Sequence, residues 1–262
     1  MTDTMTATQT PAHAPGTPIW IDLGTPDLDA STRFYTQLFG WQAEDTGEQT
    51  GHYTMFRQDG KSVAAVGPLM SPGQPTAWTT YISTPNAEET AKKVTEAGGQ
   101  VLSPPMQVMD QGSMAVFADP TGAAFAVWQP DKMKGADLVN KPNSLGWNEL
   151  ATRDMKAATA FYTKVFPWTT KVSEMGGGQQ YTEWLLDGKS IGGAMQIGGM
   201  IPASVPPHWL VYFVVANTDE TVKKAQELGA QVLNPASDIP QGRMAVLADP
   251  QGASFAVIAL SQ

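Results

Sequence analysis

The chain has 262 residues, enough for two domains of ordinary size or one large one. Hydrophobic residues make up 42% and charged residues 16%, which excludes wholesale disorder and coiled coil; Lys+Arg 16 against Asp+Glu 25 gives a net charge of −9 with no basic run, so neither nucleic acid nor a membrane surface is an expected partner. The absence of cysteine excludes disulfides, thiolate nucleophiles, iron–sulfur clusters and Cys-ligated zinc, and the three histidines, His13, His52 and His208, offer little for a His-based metal site.

Residues 1–17 are rich in Thr, Ala, Pro and Gly, with neither the basic start nor the apolar stretch of a signal peptide, and are expected to be a disordered tail. No later window approaches the roughly 20 consecutive apolar residues of a membrane helix, so the expected location is the cytoplasm. Ile19, Ile21 and Leu23 then alternate with Trp20, Asp22 and Gly24, which predicts a strand with two unlike faces. Asp27 is an N-cap candidate, Phe34 and Leu38 share one helical face, and Gly40 supplies a stop. Short strands are expected at 41–44, 52–58 and 62–67. A second round follows, with a strand at 78–83 and a helix at 87–97 that carries Ala91, Val94 and Ala97 on one face. It closes with strands at Val101, 114–118 and 124–128. Each round reads strand, helix, three strands.

The second half repeats the first. Asp27-Leu-Asp-Ala-Ser-Thr-Arg-Phe34-Tyr35 returns as Asp154-Met-Lys-Ala-Ala-Thr-Ala-Phe161-Tyr162, an offset of 127. Leu38-Phe39-Gly40-Trp41 matches Val165-Phe166-Pro167-Trp168, and Asp59-Gly60-Lys61-Ser62 matches Asp187-Gly188-Lys189-Ser190. Trp78 and Tyr81 match Trp209 and Tyr212; Asp119-Pro120-Thr121-Gly122 matches Asp249-Pro250-Gln251-Gly252, with the offset now 130. Three residues of drift are what loop insertions give, and the period is far too long for a solenoid. The chain therefore reads as a duplicated domain: module one at 18–130, a polar linker at 131–143 and module two at 144–262.

The opening pattern from Asp27 through Phe34-Tyr35 to Leu38-Phe39-Gly40-Trp41, with the late Asp-Pro-x-Gly before a strand, resembles the vicinal oxygen chelate superfamily, which includes glyoxalase I, extradiol dioxygenases and bleomycin-resistance proteins. The resemblance covers Pro18 to Pro130 and again Leu145 to Leu260. The tandem arrangement is similar to a glyoxalase-like branch often labelled "hydroxylase" near antibiotic biosynthesis genes. It implies an α+β fold in which each module holds two βαβββ units whose mixed sheets curl around a cavity. In metal-using members that cavity holds one divalent ion on His, Gln and Glu side chains.

Carried over residue by residue, those ligand positions hold Trp20 and Trp147, Ala126 and Ala256, and Thr79 and Leu210, with Trp78 and Trp209 one step earlier. A fourth position falls in the apolar stretch after Lys61 or Lys189. Divalent ions need three or four N or O ligands, which indole and methyl groups do not provide, so neither a metal nor another cofactor is expected. If the ligand positions face the cavity, alternation places Trp20 and Asp22, and Trp147 and Glu149, on the concave side. Ala124, Ala126 and Trp128, their counterparts Ser254, Ala256 and Ile258, and Tyr81 and Tyr212 join them. Aromatic walls with a few polar groups suit a small-molecule pocket.

Bland readings stand beside these. Trp20 and Trp147 are platforms for a planar ligand or plugs of packed core; Asp22 and Glu149 are acid–base groups or carboxylates held by structural donors. His52 and His208 have no twins and are kept as ligand-binding candidates with Trp78, Trp128 and Trp209. Trp41 and Trp168 are expected to be structural, and Gly176-Gly177-Gly178 to be a hairpin tip. Two function classes remain. One is a metal-free lyase, isomerase or hydroxylase-type tailoring enzyme acting on a planar aromatic or polyketide-like metabolite, with Asp22 or Glu149 as acid–base and Tyr81 or Tyr212 as oxyanion donor. The other is a protein that sequesters such a molecule without chemistry. A metal-dependent glyoxalase, lyase or dioxygenase ranks last. The expected partner is a small molecule, and the chain a monomer or homodimer.

Overall fold

The computed structural model describes residues 13–176, 179–198 and 201–261. The first unit runs β1 (Pro18–Thr25), α1 (Leu28–Phe39), β2 (Gln42–Asp45), β3 (Thr54–Gln58) and β4 (Lys61–Pro68); the second runs β5 (Ala77–Ser83), α2 (Ala87–Glu96), β6 (Gln100–Val108), β7 (Gly112–Ala118) and β8 (Ala124–Pro130). The second half repeats this order as β9 (Ser144–Thr152), α3 (Met155–Val165), β10 (Thr169–Gly176), β11 (Gln179–Leu186) and β12 (Lys189–Gln196), then β13 (His208–Val214), α4 (Thr218–Glu227), β14 (Gln231–Ile239), β15 (Gly242–Ala248) and β16 (Ser254–Leu260). The helix starts follow from side chains that accept otherwise orphaned backbone donors: Asp27 from Ala30 N at 2.9 Å, Asn86 from Glu89 N at 3.0 Å, Asp154 from Ala157 N at 2.9 Å and Asn217 from Glu220 N at 3.2 Å. Gly40 ends α1 in the left-handed region at φ 75°, as a helix stop requires.

Each half forms one mixed eight-stranded sheet, ordered β2-β3-β4-β1-β5-β8-β7-β6 and β10-β11-β12-β9-β13-β16-β15-β14. The two βαβββ units of a module join along antiparallel β1 and β5, or β9 and β13, while β4 runs parallel to β1 and β8 parallel to β5. Every strand of a sheet therefore comes from one module. This is an α+β fold built from a tandem duplication.

The helices pack across the duplication. From α1, Phe34, Tyr35, Leu38 and Phe39 share a core with Phe213, Leu247, Phe255 and Val257 of the second sheet, and Phe39 lies 4.9 Å from Phe213 between ring centroids. Reciprocally, Phe161, Tyr162, Val165 and Phe166 of α3 share a core with Ala115, Phe117, Phe125 and Val127 of the first sheet. Ile21, Leu23 and Leu150 point into these cores, which turns Trp20, Asp22, Trp147 and Glu149 to the opposite, concave faces. Trp41 and Trp168 are structural: their indole nitrogens donate to the carbonyls of Asn143 and Gly16, each at 2.8 Å.

Two segments are more ordered than their composition suggests. Residues 1–12 lie outside the described residues, but the stretch expected to continue the tail to residue 17 is pinned. Gly16 N donates to Ser83 O and Ser83 N to Thr17 O, both at 2.8 Å, alongside the Trp168 bond. The segment between the modules folds back on module one, where the Asp137 carboxylate accepts from Ser62 N at 3.0 Å and Ser62 Oγ at 2.7 Å. Met133, Ala136 and Val139 pack against the concave cluster of that module. The expected glycine hairpin tip falls on residues 177 and 178, outside the described residues.

Candidate functional site

On the concave face of module one, β1 presents Trp20 and Asp22, β5 presents Tyr81, and Tyr53, just before β3, leans in beside them. Tyr81 donates to Asp22 Oδ2 at 2.9 Å, Tyr53 donates to the same oxygen at 3.1 Å, and Trp20 Nε1 donates to the Tyr53 hydroxyl at 3.2 Å. Asp22 keeps some surface but is crowded by protein atoms, and this desolvation pushes its pKa up to about 6 although both phenols favour the charged form. The phenols are pushed upward in turn by burial and by the carboxylate they face, so they remain donors.

Module two repeats the set with one change of length. Tyr212 donates to Glu149 Oε1 at 2.9 Å, Trp147 Nε1 donates to the Tyr181 hydroxyl at 2.8 Å, and Tyr181 stands beside Glu149. Burial raises the Glu149 pKa against the effect of both tyrosines. Each face thus sets a carboxyl, two phenols and one indole side by side, and module two adds Glu183 at the position of Met55. A carboxyl poised upward can take or give a proton near neutral pH, and a phenol fixed beside it can donate to a developing oxyanion.

Of the residues marked in the sequence, the structure brings together Trp20, Asp22, Tyr81, Ala126 and Trp128 on one face, and Trp147, Glu149, Tyr212 and Ala256 on the other. Three expectations need correction. Trp78 and Trp209 lie on the opposite side of their strands, in the cores between modules, where Trp78 Nε1 donates to Tyr35 OH at 3.0 Å and Trp209 Nε1 to Tyr162 OH at 2.8 Å. A strand buried on both faces has no polar side to set its phase, so one step of miscounting exchanges the two. His52 is exposed and paired to Asp45 at 2.8 Å, on the edge of an open surface cleft of about 700 Å³ bordered by Asp27 and Pro68. His208, at the start of β13, stands on the same side as Leu210 and Tyr212, with Nδ1 against the Pro206 carbonyl at 2.9 Å. A second open cleft, about 530 Å³, lies near Gly16, Asn86 and Lys164 and contains none of the acid–tyrosine groups.

Sequence reading missed Tyr53 and Tyr181. Both stand six residues before the repeated Asp-Gly-Lys-Ser, in Tyr53-Thr54-Met55-Phe56 and Tyr181-Thr182-Glu183-Trp184, so the duplication did carry the signal.

The donor set does not fit a divalent ion. Among the described residues no three His, Cys, Asp or Glu side chains converge; Asp22 and Glu149 are already engaged by phenols, and Glu183 by Ser190 and Lys171.

Comparison with known proteins places this geometry in context. The chain is 42% identical over 264 residues to the anthracycline biosynthesis protein DnrV of Streptomyces peucetius, covering 95% of each chain. It is 42% identical over 249 residues to CFP32 of Mycobacterium tuberculosis (strain CDC 1551 / Oshkosh), designated a candidate glyoxylase, covering 93% of this chain and 94% of that one. Among solved structures, the 2,3-dioxygenase LapB from Pseudomonas sp. KL28 superposes with a TM-score of 0.64 at 12% identity, covering 95% of this chain and 94% of that chain, a likeness of fold. The family profile described as Glyoxalase/Bleomycin resistance protein/Dioxygenase superfamily matches residues 17–127 and 144–257, and the chain belongs to that superfamily.

Proposed function

We propose that the chain is a metal-independent glyoxalase-like protein that binds a small planar aromatic or polyketide-like metabolite and moves a proton on it. The observation that carries this reading is a carboxyl that accepts from a phenol beside a second, indole-held tyrosine, built twice on concave faces whose donor sets do not suit a divalent ion. In this reading Glu149 or Asp22, as carboxylate, takes a proton from carbon next to a ligand carbonyl. The electron pair moves onto the oxygen, where Tyr212 or Tyr81 donates a hydrogen bond, and return of the proton completes the exchange. The relationship to a protein named for anthracycline biosynthesis supports a fused aromatic ligand.

A non-catalytic binding role is the second reading, favoured by one observation: the indole, phenols and carboxyl already satisfy one another, a self-contained network that does not require a reaction.

Solvent-deuterium exchange separates the two. Hydroxylated aromatic ketones are incubated with the protein in D₂O, and incorporation next to the carbonyl is followed by NMR. The expected result is exchange that falls at least 100-fold in Glu149→Gln or Asp22→Asn while affinity stays within threefold. Tight binding of these compounds with no exchange by the unaltered protein rejects the catalytic reading and leaves the binding one.

A further inference from the structure

We propose that only the concave face of module two is a ligand pocket, taking an uncharged planar aromatic compound against Trp147 with an oxygen substituent at Glu149 and Tyr212, and that the face of module one is a packed plug. This rests on the small-molecule reading above and assigns it to one of two otherwise similar sites.

The two faces differ at matched positions. Trp20 is 3% exposed, whereas Trp147 is only half-buried. Both first strands carry a bulge before the tryptophan, but module one puts Ile19 there, buried in the concave cluster, and module two puts Gly146. Trp128, whose indole nitrogen is held by the Met133 carbonyl at 2.9 Å, is replaced by Ile258. Met55 packs into the first cluster, while its counterpart Glu183 is drawn off to Ser190 and Lys171. Leu210 for Thr79 and Met195 for Gly67 run the other way, but the balance leaves Trp147 accessible where Trp20 is covered.

Gly193 sharpens the contrast. A Cβ there would lie 1.9 Å from the Tyr181 hydroxyl, so Tyr181 reaches Trp147 and Glu149 through space that a side chain would fill. The matched residue in module one is Ala65, and there Tyr53 lies over Gly67 instead. The ligand's charge follows from the lining. An anion seated at Trp147 would meet the buried Glu149 carboxyl, while Lys171, on the edge strand β10, is already paired with Glu183 at 3.2 Å.

Titration of tryptophan fluorescence and calorimetry with 1,4-dihydroxyanthraquinone tests this. The expected result is one site per chain, with Kd raised at least tenfold in Ile258→Trp, which refills the pocket, and in Gly193→Ala, which displaces Tyr181. In Ile19→Ala and Met133→Ala, which loosen the packing of the module-one face, Kd stays within twofold while Tm falls. Circular dichroism confirms folding, and the two variants at each face guard against a single misfolded protein. Two equivalent sites, or the reverse pattern with only the module-one variants weakening binding, overturns the assignment while the small-molecule reading stands. An unaltered protein that shows no saturable binding overturns both.

Discussion

Asp22 sits where its charge is poorly solvated, and that has a measurable cost. Its pKa is raised from 3.8 to about 6, so between those values the folded state binds more protons than the unfolded chain, and stability falls as pH rises through that window. The full effect at neutral pH is on the order of 3 kcal/mol, since one pKa unit is worth about 1.4 kcal/mol. Asp22→Asn, which keeps the shape and cannot ionise, is therefore expected to gain stability relative to the parent as pH goes from 4 to 7. Thermal melts across that range check it, and a gap that does not widen with pH would refute the desolvated carboxyl. The tryptophans give a second test. Trp20→Ala is expected to lose about 3 to 5 kcal/mol through lost transfer energy and a cavity, and half-buried Trp147→Ala clearly less, read by urea unfolding. Alternation in β1 makes Trp20 and Asp22 legible, because Asp22 marks the phase; nothing comparable marks β5, which leaves the side of Trp78 open, and Tyr53, outside any alternating run, is visible only through its repeat as Tyr181.

At the level of elements, most of the secondary structure follows from local chemistry. Asp27, Asn86, Asp154 and Asn217 cap helices because their short side chains reach forward to the backbone donor three residues on, and Asp27 is legible as a cap in the sequence, with Asp154 as its repeat. Gly40 is the matching stop. At φ 75° with nothing within 4 Å of a built Cβ, Gly40→Ala meets no clash, and its cost is conformational alone. The expected loss is about 1 kcal/mol, a drop of roughly 2 to 4 °C in Tm, and a calorimetric scan measures it. What periodicity does not disclose is what an apolar helix face packs against. Phe34 and Leu38 announce a buried stripe, but the phenylalanines that meet it, Phe213 and Phe255, lie almost 200 residues away in the other module.

At the scale of the whole molecule, those exchanged contacts make the duplication a single cooperative unit. The two family-marking motifs meet across it: Tyr35 donates to Asp249 Oδ2 at 3.0 Å, while Asp249 Oδ1 is held by the backbone donors of Gln251 and Ala253 at 2.9 Å each. The twin Tyr162 lies beside Asp119, which is anchored in the same way by Thr121 and Ala123. The motifs legible in the sequence as family marks are thus interface residues, with Tyr35, Trp78 and Phe39 of one module buried against Phe213 and Phe255 of the other. Cutting the chain between modules would uncover part of both cores, since Phe34 and Tyr35 pack on Phe255, and Phe161 and Tyr162 on Phe125, across the cut. A fragment of residues 13–143 is therefore expected to be unfolded or self-associated when made alone. The parent should melt in one transition, and Tyr35→Phe should shift that transition as a whole, by about 1 to 3 kcal/mol for the buried Asp249 oxygen left unpaired. Two resolved transitions in the parent, or a monomeric fragment with native near-ultraviolet dichroism, would show instead that each module folds on its own core.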